Sequence, residues 1–382
     1  MKIKIGIVGC HRGMELLEIA KKTNLKFDII GAYDKDIKKF TKLKKKIKTY
    51  NNFNSFLRNK EIEAVYIASP VKFHAQQTIE ALKNKKHVLC EVPAFQKIKD
   101  GKKILNILKK KKSLYMMAEN YCFIPQYIAL NNLIKKKKFG EITFIRTSYI
   151  HDCRLLSFNK KNGNLTWRGE EKKKISGNDY PTHSIGPVCK FLDITDKRDY
   201  LKSITTFSNK EIAMSKMYFK TFPKFKNIKN YFKKHDTSLS ILKTKNNKII
   251  ELICDTASSR PDSMIDLYIQ GTKMSYISGR YDGEDSIISS SNSFYKSKPY
   301  KKFYYKKYLR KKDKIMYRNL GKKFSFYKIL ENFQNAIQKK VNKPYIDFND
   351  AYLWSSIIEL SKISLIKNSK NIKLKYINKK FK

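Results

Sequence analysis

The stretch Gly177-Asn178-Asp179-Tyr180-Pro181-Thr182-His183-Ser184-Ile185-Gly186-Pro187 places a phenol and an imidazole three residues apart. Histidine exchanges a proton near neutral pH, and tyrosine does so once its pKa is lowered. Pro181 fixes one backbone angle between them, and Gly177 and Gly186 predict turns on either side. Such a pair suits acid–base chemistry. On its own the stretch reads as a turn with a structural histidine; a cofactor site elsewhere in the chain would give it something to work against.

The N-terminal sequence supplies one. Lys2–Val8 reads as a buried first strand, Gly9-Cys10-His11-Arg12-Gly13 as the turn after it, and Met14–Ala20 as a helix. That order opens a dinucleotide-binding unit, in which the glycines let the backbone approach a pyrophosphate at the helix N-terminus. His11 stands near the place of the fingerprint's second glycine, and the loop is one residue short. Phe27–Ala32 predicts the next strand. Asp34, 21 residues after Gly13, holds the position at which an acid binds the ribose hydroxyls. An acid there disfavours a 2′-phosphate, so the expected cofactor is NAD rather than NADP.

The alternation continues with strands at Ala64–Ala68, His87–Cys90 and Leu114–Ala118 and helices at Ala75–Leu82 and Asp100–Lys109, the last with Asp100 placed to cap it. Residues 1–122 are therefore expected to form an α/β Rossmann domain with a doubly wound parallel sheet. Ligands of such a sheet gather at the carboxyl ends of its strands. Arg12, Asp34, the loop Val71-Lys72-Phe73-His74, Glu91 and Asn120 should then ring one crevice.

Residues 123–382 read as an α+β domain with an open sheet. Pro125–Lys135 predicts a helix, and Glu141–Tyr149 a strand ending in Ser148-Tyr149-Ile150-His151-Asp152. Further strands are expected at Ser203–Phe207, Thr237–Thr244, Ile249–Thr256, Met264–Gln270 and Met274–Ser278. Residues 281–315, polar and rich in Tyr and Lys, read as a long excursion. Helices are expected at Phe324–Lys340 and Asn349–Ile366, the second packing back on the first domain. The open sheet offers a surface for pairing with a second copy.

Composition sets the class. With 382 residues, 41% hydrophobic and 30% charged, the chain can bury two cores and is not of the disordered kind. The net charge of +50 comes mostly from Lys in short runs such as Lys44–Lys46, Lys109–Lys112 and Lys135–Lys138. Asn, Ile, Tyr and Phe are abundant as well, which is the signature of an A/T-rich genome. The basic residues lack the Arg bias of base readout and do not collect in one segment, so a specific nucleic-acid partner is not expected. Six scattered Cys with no Cys-x-x-Cys pair argue against a metal site and fit reduced thiols. The first apolar run is too short for a signal peptide and no stretch approaches a membrane span, which places the protein in the cytoplasm.

Several segments carry a resemblance: Glu91-Val92-Pro93-Ala94, Met117-Ala118-Glu119-Asn120, Tyr149-Ile150-His151-Asp152, Trp167-Arg168, Gly177–Pro187, Arg260-Pro261 and Asp350–Ser361. The chain resembles the Gfo/Idh/MocA sugar oxidoreductases and, within them, glycoside hydrolase family 109, the NAD-dependent α-N-acetylgalactosaminidases. The resemblance implies NAD contacts from Gly9, Arg12, Gly13, Asp34, Val71, Lys72, Phe73, His74, Glu91, Val92 and Asn120. It implies sugar contacts from Tyr149, Arg168, Tyr180, Pro181, Thr182 and His183, with Asp262 standing where the family usually offers a Tyr. It further implies a cycle in which NAD is recycled: oxidation at C3, loss of the C2 proton, elimination of the glycosidic oxygen, addition of water and reduction. His183 is then assigned to the C3 hydroxyl and Tyr149 to C2, with Tyr180 in support; His151 is open between a catalytic and an orienting role.

The alternative is an NAD-dependent sugar dehydrogenase. That branch usually has Glu-Lys-Pro, where the Lys relays a proton; here Val92 is aliphatic. Asp179 with His183 reproduces that branch's Asp-x-x-x-His spacing. A non-catalytic or nucleic-acid-binding relic would predict eroded motifs, and apart from His11 and Asp262 they stand.

Overall fold

The computed structural model describes residues 2–43, 47–174, 177–194, 199–226, 231–291 and 298–374. The chain divides into two compact units, residues 1–124 with 311–356 and residues 125–310 with 357–382. The run Lys44–Lys46 lies outside the described residues.

In the first unit, β1 (Ile3–Val8), α1 (Met14–Lys22), β2 (Phe27–Tyr33), β3 (Lys48–Tyr50), α2 (Phe53–Arg58), β4 (Ala64–Ile67), α3 (His74–Lys83), β5 (His87–Cys90), α4 (Ile98–Lys110) and β6 (Tyr115–Met117) follow in order. The six strands form one parallel sheet, β3-β2-β1-β4-β5-β6. The strand order reverses between β1 and β4, the place where doubly wound sheets bind nucleotides. β4 is buried at every position, as a strand covered on both faces must be. β3 and α2 went unread in the sequence, because three residues give too little pattern for a strand. Asp100 is not a cap: α4 begins at Ile98 after Lys97, with no side-chain cap bond, and Asp100 lies in its first turn. A carboxylate there still favours the positive end of the helix dipole.

Residues 311–356, given to the second domain on the sequence with only Asn349–Ile366 expected to pack back, pack with the first unit. They carry α9 (Lys311–Leu320), α10 (Phe324–Ile337) and the first half of α11 (Phe348–Ile366). The cause is aromatic burial. Phe326 meets Tyr66 at 5.4 Å between ring centroids, Tyr352 meets Phe95 at 5.6 Å, and Phe348 meets Tyr115 edge-on at 4.9 Å. Each such side chain contributes roughly 1.5–3 kcal/mol when taken out of water. Backbone bonds join in, with Met117 N donating to Ile346 O at 3.1 Å.

The second unit holds α5 (Pro125–Lys135), β7 (Ile142–Ile150), α6 (Trp167–Lys172), α7 (Thr182–Phe191), β8 (Leu201–Ser208), α8 (Ala213–Thr221), β9 (Thr237–Thr244), β10 (Ile249–Asp255), β11 (Ser263–Gly271), β12 (Met274–Ile277), β13 (Ile287–Ser290), β14 (Lys301–Lys302) and β15 (Ile372–Lys373). They form a nine-stranded mixed sheet, β14-β13-β12-β11-β7-β10-β9-β8-β15. β7 and β10 are its parallel pair; the others described are antiparallel. β9 alternates buried and half-buried positions, the signature of a sheet with one covered face. The stretch 281–315 is not a bare excursion: β13 and β14 extend the sheet edge and α9 begins within it, while residues 292–297 lie outside the description. Lysines on β14 suit an edge strand. Gly186 is not in a turn either, since it lies inside α7.

All six cysteines are free and buried. Among the described residues, no helix is long and apolar enough to cross a membrane.

Candidate active site

One group of the expected site residues lies in the first unit, at the carboxyl ends of β1, β2, β4 and β5. Gly9 takes a left-handed φ of +94°, and a Cβ there would stand 2.6 Å from the carbonyl oxygen of Ala68 and 2.8 Å from the nitrogen of Ser69. Only glycine fits that crossing of two chain segments. Gly13 N donates to Gly9 O at 3.1 Å, closing the turn, and α1 starts from Gly13 with no side-chain cap on its first N–H groups. That leaves a helix N-terminus suited to an anion. His11 is exposed and does not take a left-handed φ, so its departure from glycine strains nothing in the turn.

Asp34, at the end of β2, is buried. Its carboxylate accepts from Cys10 N at 2.7 Å and from Asp36 N at 3.0 Å, with Lys39 Nζ at 3.6 Å. Each carboxylate oxygen keeps a second lone pair for a ribose hydroxyl. The thiol of Cys10 is pushed up to about 12 by burial and then by Asp34. The Gly9 cradle, the uncapped helix and the acid at the strand end fit NAD. Calorimetric titration should show NAD bound about tenfold or more tightly than NADP, one repulsion of about 1.4 kcal/mol between Asp34 and a 2′-phosphate. Equal or tighter binding of NADP would remove this reading of Asp34.

Arg12 and Glu91, 79 residues apart, meet here: Arg12 Nε lies 3.1 Å from Glu91 Oε1 and Nη1 2.5 Å from Glu15 Oε2. Tyr66 donates its hydroxyl to the same Glu91 oxygen at 2.5 Å. Burial works against the charge of Arg12, but Glu91, Tyr66 and Glu15 outweigh it and raise its pKa. Burial, then Glu91, holds the Tyr66 phenol far above its usual range. Tyr66 and Glu15 were missed on the sequence; a lone phenol in the strand Ala-Val-Tyr-Ile was the available signal.

Val71–Phe73, expected as a loop, is one 3-10 turn running into α3. Lys35 and Lys72 flank the Phe73 ring at 4.8 and 5.1 Å. His74 is buried, with Nδ1 2.8 Å from Pro93 O and Nε2 2.7 Å from Ser69 O. Burial lowers its pKa, yet Cys90 and the two carbonyls more than offset this and raise it to about 9. Its ring thus ties two loops together. Val92 is buried, and Asn120 opens a 3-10 turn after β6.

Another group of expected site residues lies in the second unit. Tyr149 is buried near the end of β7, opposite Cys254 of β10, and His151 N continues that ladder to Asp255 O at 3.0 Å. Residues two apart share a face of a strand, and Tyr149 Oη lies 2.8 Å from His151 Nδ1. His151 Nε2 is 3.9 Å from Asp262 Oδ2, while Asp262 Oδ1 accepts from Asp152 N at 3.1 Å. The Tyr149 ring is 5.1 Å from Tyr180 and 5.5 Å from His183, and Tyr180 meets His183 edge-on at 4.9 Å. Two phenols and two imidazoles from two distant segments therefore form one cluster. His183 stands on the first turn of α7, where Pro187 has no N–H for its carbonyl. Pro181 and Thr182 are buried and shape the start of that helix. Arg168, on α6, is exposed with its guanidinium 4.3 Å over the Trp167 ring.

Residues 124–379 match the family "Glycosyl hydrolase 109, C-terminal domain". The chain belongs to glycosyl hydrolase family 109. Residues 3–119 match the Gfo/Idh/MocA oxidoreductase family with its NAD-binding Rossmann fold. A family 109 protein of Solibacter usitatus is 28% identical over 328 residues, covering 83% of this chain and 72% of that protein. The alpha-N-acetylgalactosaminidase of Shewanella oneidensis is 29% identical over 225 residues, 58% of this chain and 48% of that protein. The match thus spans about half the length of the Shewanella relative. Among solved structures, levoglucosan dehydrogenase in complex with NADH and levoglucosan superposes with a TM-score of 0.75 at 16% identity, covering 98% of this chain and 100% of that one. An NAD-binding oxidoreductase from Klebsiella pneumoniae gives 0.77 at 12% identity, covering 98% and 99%. At these identities the likeness is one of fold. The chain is an enzyme of the family 109 type on a Gfo/Idh/MocA oxidoreductase fold.

Proposed function

We propose that the protein is a glycosidase that uses NAD as a recycled redox catalyst, acting on α-N-acetylgalactosaminides or related sugars. The observation that carries this reading is the Tyr149–His151–Tyr180–His183 cluster, with the aliphatic Val92 where a dehydrogenase would keep its Lys. When bound, NAD supplies the hydride acceptor and donor for C3 of the sugar. Gly9, Gly13, Asp34, Arg12 and Glu91 are the residues that would hold it.

The chain's own groups handle protons. His183 takes the proton of the C3 hydroxyl and returns it, as an imidazole can near neutral pH. Tyr149 takes the C2 proton, which a neighbouring ketone acidifies, after its own phenol proton has passed to His151, whose Nδ1 lies 2.8 Å from the Tyr149 hydroxyl. Tyr180 packs edge-on to His183 and keeps the imidazole aimed. Arg168 offers a fork of donors to a sugar oxygen. No pair of carboxylates at fixed spacing is required, unlike ordinary glycoside hydrolysis.

The dehydrogenase reading makes the opposite forecast for one experiment. Turnover of an N-acetyl-α-galactosaminide in D₂O should release sugar carrying deuterium at C2, with no net NADH absorbance. Stoichiometric NADH without a released aglycone would establish the dehydrogenase instead. Asp262 in place of a phenol would shift the choice of sugar or weaken activity; C2 exchange without cleavage would leave the mechanism and remove the substrate.

A further inference from the structure

Behind the aromatic cluster, in the same unit, lies a knot of buried charge. Lys234 Nζ is 2.6 Å from Asp179 Oδ2 and 3.2 Å from the hydroxyl of Thr256. Lys172 Nζ donates to that same hydroxyl at 3.2 Å. Both lysines and Thr256 are buried. The Cys254 thiol approaches the other Asp179 oxygen at 3.8 Å. Desolvation would raise the Asp179 pKa, but Lys234 and then Lys172 lower it. Burial, and then Lys234, brings Lys172 down to about 8.

Every segment that carries a working residue of this unit meets here. Thr256 O accepts from Cys153 N at 3.1 Å, and Asp255 O from His151 N at 3.0 Å, which fixes the Tyr149–Cys153 run. Lys172 is the last residue of α6, the helix that bears Arg168, and its carbonyl accepts from Lys233 N and Lys234 N at 2.9 and 3.0 Å. Asp179 immediately precedes Tyr180. The start of its segment is held as well: a Cβ on Gly177 would stand 2.2 Å from Ser361 Oγ, and Asn178 N donates to that oxygen at 2.8 Å.

A buried ion pair is weak support for stability, because apolar side chains of similar volume often do better. Two buried ammoniums sharing one hydroxyl beside a single carboxylate are worse still. The arrangement makes physical sense as a device that fixes geometry. We propose that, given working roles for Tyr149, Arg168, Tyr180 and His183, Asp179 and Lys234 are positioning residues, whose ion pair on Thr256 sets the Tyr180–His183 segment against the Tyr149–His151 segment. The Asp179 carboxylate, whose spacing to His183 matches the dehydrogenase branch, is bonded to Lys234.

The test compares the wild type with Lys234→Met, Lys234→Arg and the double variant Asp179→Leu/Lys234→Met. Lys234→Met removes the cation bonded to Asp179, leaving only the more distant Lys172, and is expected to be destabilised. The double variant removes both charges of the pair, and with Lys234 the cation that most disfavours the buried Lys172, and should melt at or above the wild-type temperature. Its kcat should nevertheless fall about 100-fold, as for a misplacement near 1 Å, with KM changing less. The rate at which diethyl pyrocarbonate modifies His183, followed peptide by peptide, should rise. Lys234→Arg should keep most of the activity. A double variant that is stable and keeps wild-type kcat and His183 reactivity would overturn the proposal, as would recovery of activity in step with stability. If the double variant does not fold, the pair is structural and the proposal fails with it. Should the wild type prove to cleave no glycoside, the glycosidase reading falls alone, because His183 reactivity still decides the role of the pair.

Discussion

His183→Ala is expected to lower turnover by about 100- to 10,000-fold, the usual worth of a positioned acid–base group, while NAD binding stays intact. His183 stands half-buried on the first turn of α7, so truncation opens no large cavity. Its edge contact with Tyr180 and its packing on Tyr149 are worth roughly 0.5–1.5 kcal/mol each beyond area. Melting should therefore fall by a few degrees. A histidine that only supports the turn gives the reverse pattern, with a large loss of melting temperature and a proportionate loss of activity. Measuring kcat, NAD affinity and melting on one preparation separates the two.

Gly9→Ala should destabilise the first unit and weaken NAD binding strongly. An alanine at a φ of +94° costs about 1–3 kcal/mol in backbone strain, and its Cβ would collide with backbone atoms of Ala68 and Ser69, which cannot swing aside as a side chain tip can. The turn must move, and with it the first N–H groups of α1. A shift costing the bound state about 3 kcal/mol weakens NAD on the order of 100-fold. Calorimetry and denaturant unfolding check both effects. An unchanged Kd would show that the turn does not cradle the cofactor.

The sequence exposed the first unit's sheet almost strand by strand. Parallel strands buried on both faces read as apolar runs, and His87–Cys90 falls where it was read. It failed where a signal was short or long-range. β3 has three residues. Asp100 looked like a cap because an acid near a helix start can stand at the cap or within the first turn. Gly186 suggested a turn because sequence position does not tell a buried helical glycine from a flexible one.

Residue type by itself determined the chemistry on offer: a cofactor turn built on Gly9 and Gly13, an acid at Asp34, and phenols and imidazoles in two motifs. The same residues carried the family resemblance. What only the tertiary structure decided is which groups touch. Tyr149 and His183 are 34 positions apart and Arg12 and Glu91 are 79 apart, and no local pattern encodes such distances. The return of residues 311–348, ahead of the helix already expected to pack back, and the pairing of Asp179 with Lys234 were equally hidden. Helix and strand periods are local, set by backbone geometry over a few residues. Aromatic burial and charge neutralisation are satisfied by any partner the folded chain brings near, so their choice appears only once the chain has folded.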